Sequence, residues 1–353
     1  MKFFASVIVA LSLVVSCKTE VLIGEHTNAT YYTKQNTDIH GLLYSALSNG
    51  ESDIRIATGT YYMSKTIRLM SNVYIHGTKN DNSAIVNGEL LTLLKVNSTQ
   101  LLGLALFVTL NATNVTVSDL VIDGYNMYIN KSGEVNGVAF VDSSNVLLSK
   151  LNITNFRNGV FLNKTMMITI DNCAIFRNDY DGALVRRSYG VIVSNAYTRL
   201  NGRHGFNIAS NSSNVTITNS DIRRNKDTAS CGVTMDKGNN FEIINNNLTL
   251  TNQSGVCMRD VSNVIIANNV IISVNDRSCI KIHRVTNAQF VNNKCNAIVN
   301  VNPTLSPPPK SPKIEVGKSP MPSPPPKKKS AAVRQTTMSY GAFLTMLIVI
   351  TLL

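Results

Sequence analysis

The sequence predicts an all-β chain whose middle, from about Leu69 to Asn300, winds as a parallel β-solenoid. Two columns of residues and one compositional bias carry that reading. A Gly column runs through Gly137, Gly159, Gly182, Gly205, Gly232 and Gly255 and closes at Cys279, with spacings of 22, 23, 23, 27, 23 and 24 residues. A second column in the other half of each repeat runs through Asn172, Asn195, Asn219, Asn245, Asn268 and Asn292, spaced by 23, 24, 26, 23 and 24. Charged residues make up only 15% of the chain and there is no Trp, while Asn recurs throughout. That bias suits repeated tight turns better than helices.

Before each Asn of the second column comes a short run of alternating apolar residues, such as Val215 to Thr218 or Phe241 to Ile244. Period two marks a half-buried strand, so each repeat contributes at least two. A unit this short cannot bury its own apolar face and must stack on its neighbours, with like residues about 4.8 Å apart. The Gly column is expected where the backbone turns sharply or takes positive φ, and the Asn column is expected to be a ladder of amides bonded along the stack. Leucine-rich repeats compete and fail, because Leu does not recur at their spacing and no repeat has a helical half. Less regular coils are read at Ser71 to Gly77 and Val115 to Gly124. The segment His40 to Leu47 reads as a short amphipathic helix that caps the open end of the stack.

The two termini point to export. Residues 1–17 have a basic start, an apolar run and small residues at the end, the layout of a signal peptide. Residues 18–68 are assigned to an N-terminal cap and first strands, 69–300 to the solenoid and 301–329 to a Pro, Ser and Lys-rich stalk. Residues 330–353 combine small residues, a polar spacer and a short apolar end, the layout of a GPI-attachment signal or a short membrane anchor. The chain is therefore expected at a cell surface or wall, tethered to the membrane through its C-terminus. Eleven glycosylation sequons are present, against roughly seven expected by chance in so Asn-rich a chain. Asn97, Asn111, Asn130 and Asn247 are the candidate glycan sites.

The formal charge is +12, but half of it lies in the tail beyond Val301. The folded part lacks the interleaved aromatic and basic residues of a nucleic-acid surface, and its mild positive charge suits an acidic polysaccharide better as partner. Six Cys in an exported chain suggest disulfides. Along straight strands, however, Cys231, Cys257 and Cys279 stand about 8 Å or more apart, so buried free thiols are expected instead. No zinc spacing and no Gly-Gly-x-Gly-x-Asp calcium repeat occurs, so no metal or other cofactor is expected.

The block Asn201-Gly-Arg203-His204-Gly205-Phe206-Asn207-Ile208 resembles one found in mannuronan (alginate) C5-epimerases. The likeness extends over about Gly59 to Asn269, with weaker matches at Asp119 to Gly124, Val135 to Gly137 and Asp181 to Ala183. It implies a right-handed parallel β-helix, like that of the pectate lyases. It also implies an alginate-like or pectin-like polymer as partner, and an acid and a base on opposite faces of a uronate ring, with a cation on the carboxylate. Only Arg203 and His204 carry over from the catalytic set. The family's Tyr-Gly-Phe-Asp-Pro-His run falls on Asn158 to Asn163, and a family Asp falls on Arg186. Stacking places Arg157, Tyr180 and Arg203 in one column, and Asn158, Asp181 and His204 in the next. The candidate catalytic residues are accordingly His204, Arg203, Asp181 and Tyr180, with Arg157 and Arg186 binding substrate carboxylates. Three readings stay open: an epimerase or related lyase, a catalytically silent polysaccharide binder, and a structural or adhesive surface protein.

Overall fold

The computed structural model describes residues 20–78, 91–96, 103–124, 135–225, 230–250, 254–273, 278–295 and 298–300. The chain divides into two compact units, Met1–Leu305 and Ser306–Leu353. The described residues all belong to the first. The signal-peptide, stalk and tail segments lie outside them, as do Asn97 and Asn130.

A β-solenoid of about eight turns forms, as the repeat predicts. Each regular turn sends two strands to a large sheet and one short strand to a smaller sheet, as in Val160–Asn163, Met166–Asp171 and Ala174–Phe176. From Phe206–Thr218 onward the two strands of the large sheet run together as one. Every named strand pairing is parallel, and from Asp53–Ile56 onward each joins one coil to the next, so Val138, Val160, Ala183, Phe206, Val233, Val256 and Ile280 fall in register. Such inward columns of Val, Ile and Phe make one continuous core. Each fully buried aliphatic side chain contributes roughly 1.5 to 3 kcal/mol relative to exposure. Stacking starts earlier than Leu69: Val21–Gly24 pairs with Asp53–Ile56, which pairs with Val73–His76. Irregular coil lengths hide these first turns in the sequence.

The one helix among the described residues, His40–Ser48, lies where the sequence predicts it. Leu43, Ala46 and Leu47 are buried on it and join the core cluster, so the helix covers apolar side chains at the end of the stack.

Three sequence expectations change in the structure. The described glycines with positive φ are Gly24, Gly50, Gly59, Gly190 and Gly238, none of which belongs to the repeating column. Positive φ is thus not what the column requires; its glycines are needed for close approach where the chain enters the large sheet. A Cβ on Gly137, Gly159 or Gly255 would stand 2.4, 2.2 or 2.2 Å from Cγ2 of Ile153, Ile175 or Ile271 on the facing strand. The Asn column is not an amide ladder. Its members take φ of 50 to 59°, the left-handed conformation that Asn tolerates best after Gly. The amide ladders run elsewhere, through Asn178, Asn201 and Asn225 and through Asn246, Asn269 and Asn293.

The third change concerns the cysteines, which pair: Cys231 with Cys257 and Cys279 with Cys295. Cys173 stays a buried free thiol. Cys231 and Cys257 are three residues out of register, yet their Cα atoms are 6.0 Å apart. A straight strand cannot bring them so close, so the chain bends as it enters the large sheet. Cys279 and Cys295 occupy the two positions that hold the touching Gly and Ile in the coil below, Gly255 and Ile271. A covalent bond replaces that contact in the last coil.

Candidate functional site

The residues singled out in the sequence lie where the smaller sheet turns back into the large one. At this corner the chain climbs one coil at a time through backbone bonds: Tyr180 N–H donates to the Arg157 carbonyl and Arg203 N–H to the Tyr180 carbonyl, each at 2.7 Å. The predicted column of Arg157, Tyr180 and Arg203 is therefore real. The Arg157 guanidinium lies 4.5 Å from the centre of the Tyr180 ring and that of Arg203 lies 5.5 Å from it. A cation over each side of one aromatic ring is held by the negative faces of the π system. Tyr180 remains 40% exposed, so the stack opens to solvent.

Asp181 and His204 form the neighbouring column, but they point into the stack. Asp181 is 1% exposed; its Oδ1 accepts the His204 N–H at 3.2 Å and its Oδ2 accepts the Asn207 amide at 2.8 Å. The same pattern continues below: Asn158 Oδ1 accepts the Asp181 N–H, and Asn158 donates to Asn136 Oδ1. Asp181 thus fills a place in a ladder that satisfies corner backbone groups, as a buried carboxylate must. His204 is 7% exposed, with Nδ1 placed 3.0 Å from the Cys231 carbonyl and 3.1 Å from its N–H. Cys231 is itself tied by its disulfide, so the imidazole sits against a braced segment of backbone. Among these side chains no acid and base face solvent together.

Arg186 does not join the cluster. It lies five residues beyond Asp181 on the exposed face of the large sheet, in register with Asn163 below and Ala209 above. Asn163, a sequon residue at the position of a family catalytic His, therefore stands beside Arg186 and not beside His204. Among the other glycan candidates, Asn111 is exposed on a left-handed turn and Asn247 is half-buried at the start of a short strand.

A separate groove on the large sheet escaped the sequence reading. Its floor includes Ile192, Thr216, Glu242, Ile265 and Gln289, and one wall is an amide ladder. In that ladder Asn240 donates to Asn214, Asn263 to Asn240 and Asn287 to Asn263. Its members are spaced by 26, 23 and 24 residues, the same rhythm as the Gly and Asn columns. Among the described lining residues Glu242 is the charged one, and none is a cation. The groove suits hydroxyl groups, whereas the Arg157 and Arg203 corner suits carboxylates.

A model of the right-handed β-helix region matches residues 106–249. The fold is a right-handed parallel β-helix. An alginate lyase from Paenibacillus sp. str. FPU-7 is 14% identical with a TM-score of 0.58, over 75% of this chain and 95% of the lyase. The Geobacillus virus E2 protein ORF18 is 13% identical with a TM-score of 0.57, over 74% of this chain. This chain spans 57% of the viral protein. A mannuronan C-5 epimerase A-module from Azotobacter vinelandii, AlgE4, is 15% identical with a TM-score of 0.49, over 75% of this chain and 93% of the module. At such identities the first two likenesses speak for the fold alone, and the epimerase module carries no further weight. No curated protein matches by sequence.

Proposed function

We propose that this protein is an exported, surface-tethered β-helix that binds an acidic polysaccharide along the Arg157, Tyr180 and Arg203 corner without turning it over. One observation carries the reading: an exposed aromatic ring lies between two guanidinium groups while the neighbouring Asp181 and His204 are buried in a backbone ladder. Guanidinium groups pair with carboxylates in a planar fork, and the Tyr180 ring holds the two of them together at the corner. Proton exchange at C5 needs an acid and a base within hydrogen-bond reach of the ring, which buried side chains do not offer. The signal-peptide layout and the C-terminal tail support display at a surface.

The test uses the full chain with polymannuronate, polygalacturonate and a neutral glucan, measured by calorimetry, with a parallel incubation in heavy water. The acidic polymers are expected to bind, more weakly as salt rises, and a combined Arg157→Gln and Arg203→Gln variant to bind at least tenfold more weakly. No deuterium should enter at C5. Exchange in the wild type that His204→Ala abolishes would establish an epimerase, and new unsaturated ends a lyase. Equal binding of the neutral glucan would leave an adhesive protein without sugar-charge specificity.

A further inference from the structure

Three side chains spread over 57 positions converge at the N-terminal end of the stack. Glu20 immediately precedes the strand Val21–Gly24, Asp53 opens Asp53–Ile56, and His76 closes Val73–His76. Parallel pairing of these three strands brings one ligand atom of each within 4.8 Å of the others. His76 is 3% exposed, and the Tyr74 ring stacks on it at 4.3 Å between centres. Its Nδ1 lies 2.9 Å from the Gly77 carbonyl. A carbonyl only accepts, so Nδ1 carries the proton.

That bond fixes the rest. In a neutral ring with Nδ1 protonated, Nε2 is an acceptor, and it faces Glu20 Oε1 and Asp53 Oδ1, each 3.2 Å away. Three acceptors facing one another need either a metal ion or a further proton among them. We propose that His76, Asp53 and Glu20 ligate a divalent first-row metal ion, with Zn²⁺ the occupant best suited to one imidazole and two carboxylates. Ligands about 2.0 to 2.2 Å from such an ion stand roughly 3.3 to 3.6 Å apart in a tetrahedron and about 2.8 to 3.1 Å in an octahedron. The observed 3.2 Å separations fall between the two. An imidazole whose other nitrogen donates to a backbone carbonyl is the usual arrangement around a metal-binding His. The carboxylates are 36% and 39% exposed, which leaves an approach from solvent. Arg55 shares the Glu20 oxygen at 3.3 Å and offsets part of the negative charge. The ion would join the first three coils, at the end of the stack opposite the two disulfides.

The rival occupant is a second proton on Nε2, giving an imidazolium faced by Glu20 and Asp53, with Arg55 and Tyr74 beside them. Chelator-stripped full-length protein titrated with Co²⁺ separates the two. Visible d–d absorption saturating at one equivalent, its loss on adding Zn²⁺, and a higher melting temperature with Zn²⁺ are expected. His76→Gln should remove the absorption, and Asp53→Asn should weaken Zn²⁺ binding at least tenfold with the circular dichroism unchanged. The inference is overturned if wild type gives neither absorption nor a melting shift, or if both variants bind as wild type does. Protonated Nε2 at neutral pH in saturating Zn²⁺, seen by histidine NMR, would also overturn it.

Discussion

Replacing Gly159 by alanine tests the packing logic of the whole stack. The new Cβ would stand 2.2 Å from Ile175 Cγ2, 2.8 Å from the Gly182 carbonyl oxygen and 3.0 Å from Asn178 Nδ2. Carbon atoms in contact prefer about 3.5 to 4.0 Å, so Ile175 must retreat by more than an ångström. It has nowhere to go, being fully buried between Ile153 of the coil below and Thr198 of the coil above, both fully buried themselves. The Gly182 carbonyl is no freer, because it accepts the Val160 N–H at 3.0 Å. Overpacking of a tight core typically costs 1 to 3 kcal/mol, and a contact closed on two sides places Gly159→Ala at about 3. Gly41→Ala is the matched control: nothing lies within 4 Å of its added Cβ, and it sits in the exposed first turn of the helix. There alanine should stabilise by up to about 1 kcal/mol. Urea unfolding at unchanged slope reads both. Opposite shifts of the midpoint are expected, and a Gly159→Ala loss under about 1 kcal/mol would refute the close-approach argument.

Asn201 accepts from the Asn178 N–H and side chain, and donates to the Ile175 carbonyl and Asn225. Because it is fully buried, Asn201→Ala strands several partners and should destabilise by about 2 to 4 kcal/mol in the same assay. The Arg259 hydrogen bond holds the Asp236 carboxyl below its ordinary pKa. Stability from that pair is present above the unfolded value and lost as pH falls through the lowered folded one; for a mostly exposed pair it is about 0.5 kcal/mol. Arg259→Gln should raise the Asp236 titration toward the ordinary carboxylate range, read by carboxyl NMR. Burial pushes the Cys173 thiol up to about 12. Native protein should leave Cys173 unmodified by a thiol reagent at pH 8 and expose it only on unfolding; rapid native labelling would contradict its burial.

Much of the candidate site was legible because a solenoid converts sequence spacing into height. Once the coil length was known, Arg157, Tyr180 and Arg203 had to stack, and they do. The burial of Asp181 and His204 was not legible. Both belong to the same periodic pattern as their exposed neighbours, and only the path of the chain around the corner turns one column outward and the next one in. Arg186 illustrates the same limit, since its separation from His204 is a distance along the strand that the family likeness obscured.

The sequence by itself determined the repeat, the parallel stacking, the single capping helix and the columns of the corner. These are local or strictly periodic properties, set by period-two burial and by a coil length that barely varies. The tertiary structure alone decided which cysteines pair, why the column is glycine, and that Glu20, Asp53 and His76 meet. The partner of Cys279 stood 16 residues on, at the position where earlier coils place the residue that touches the column glycine. That meaning becomes visible only when the two sheets face each other, because contact across a coil depends on the bends between strands and not on the pattern within them.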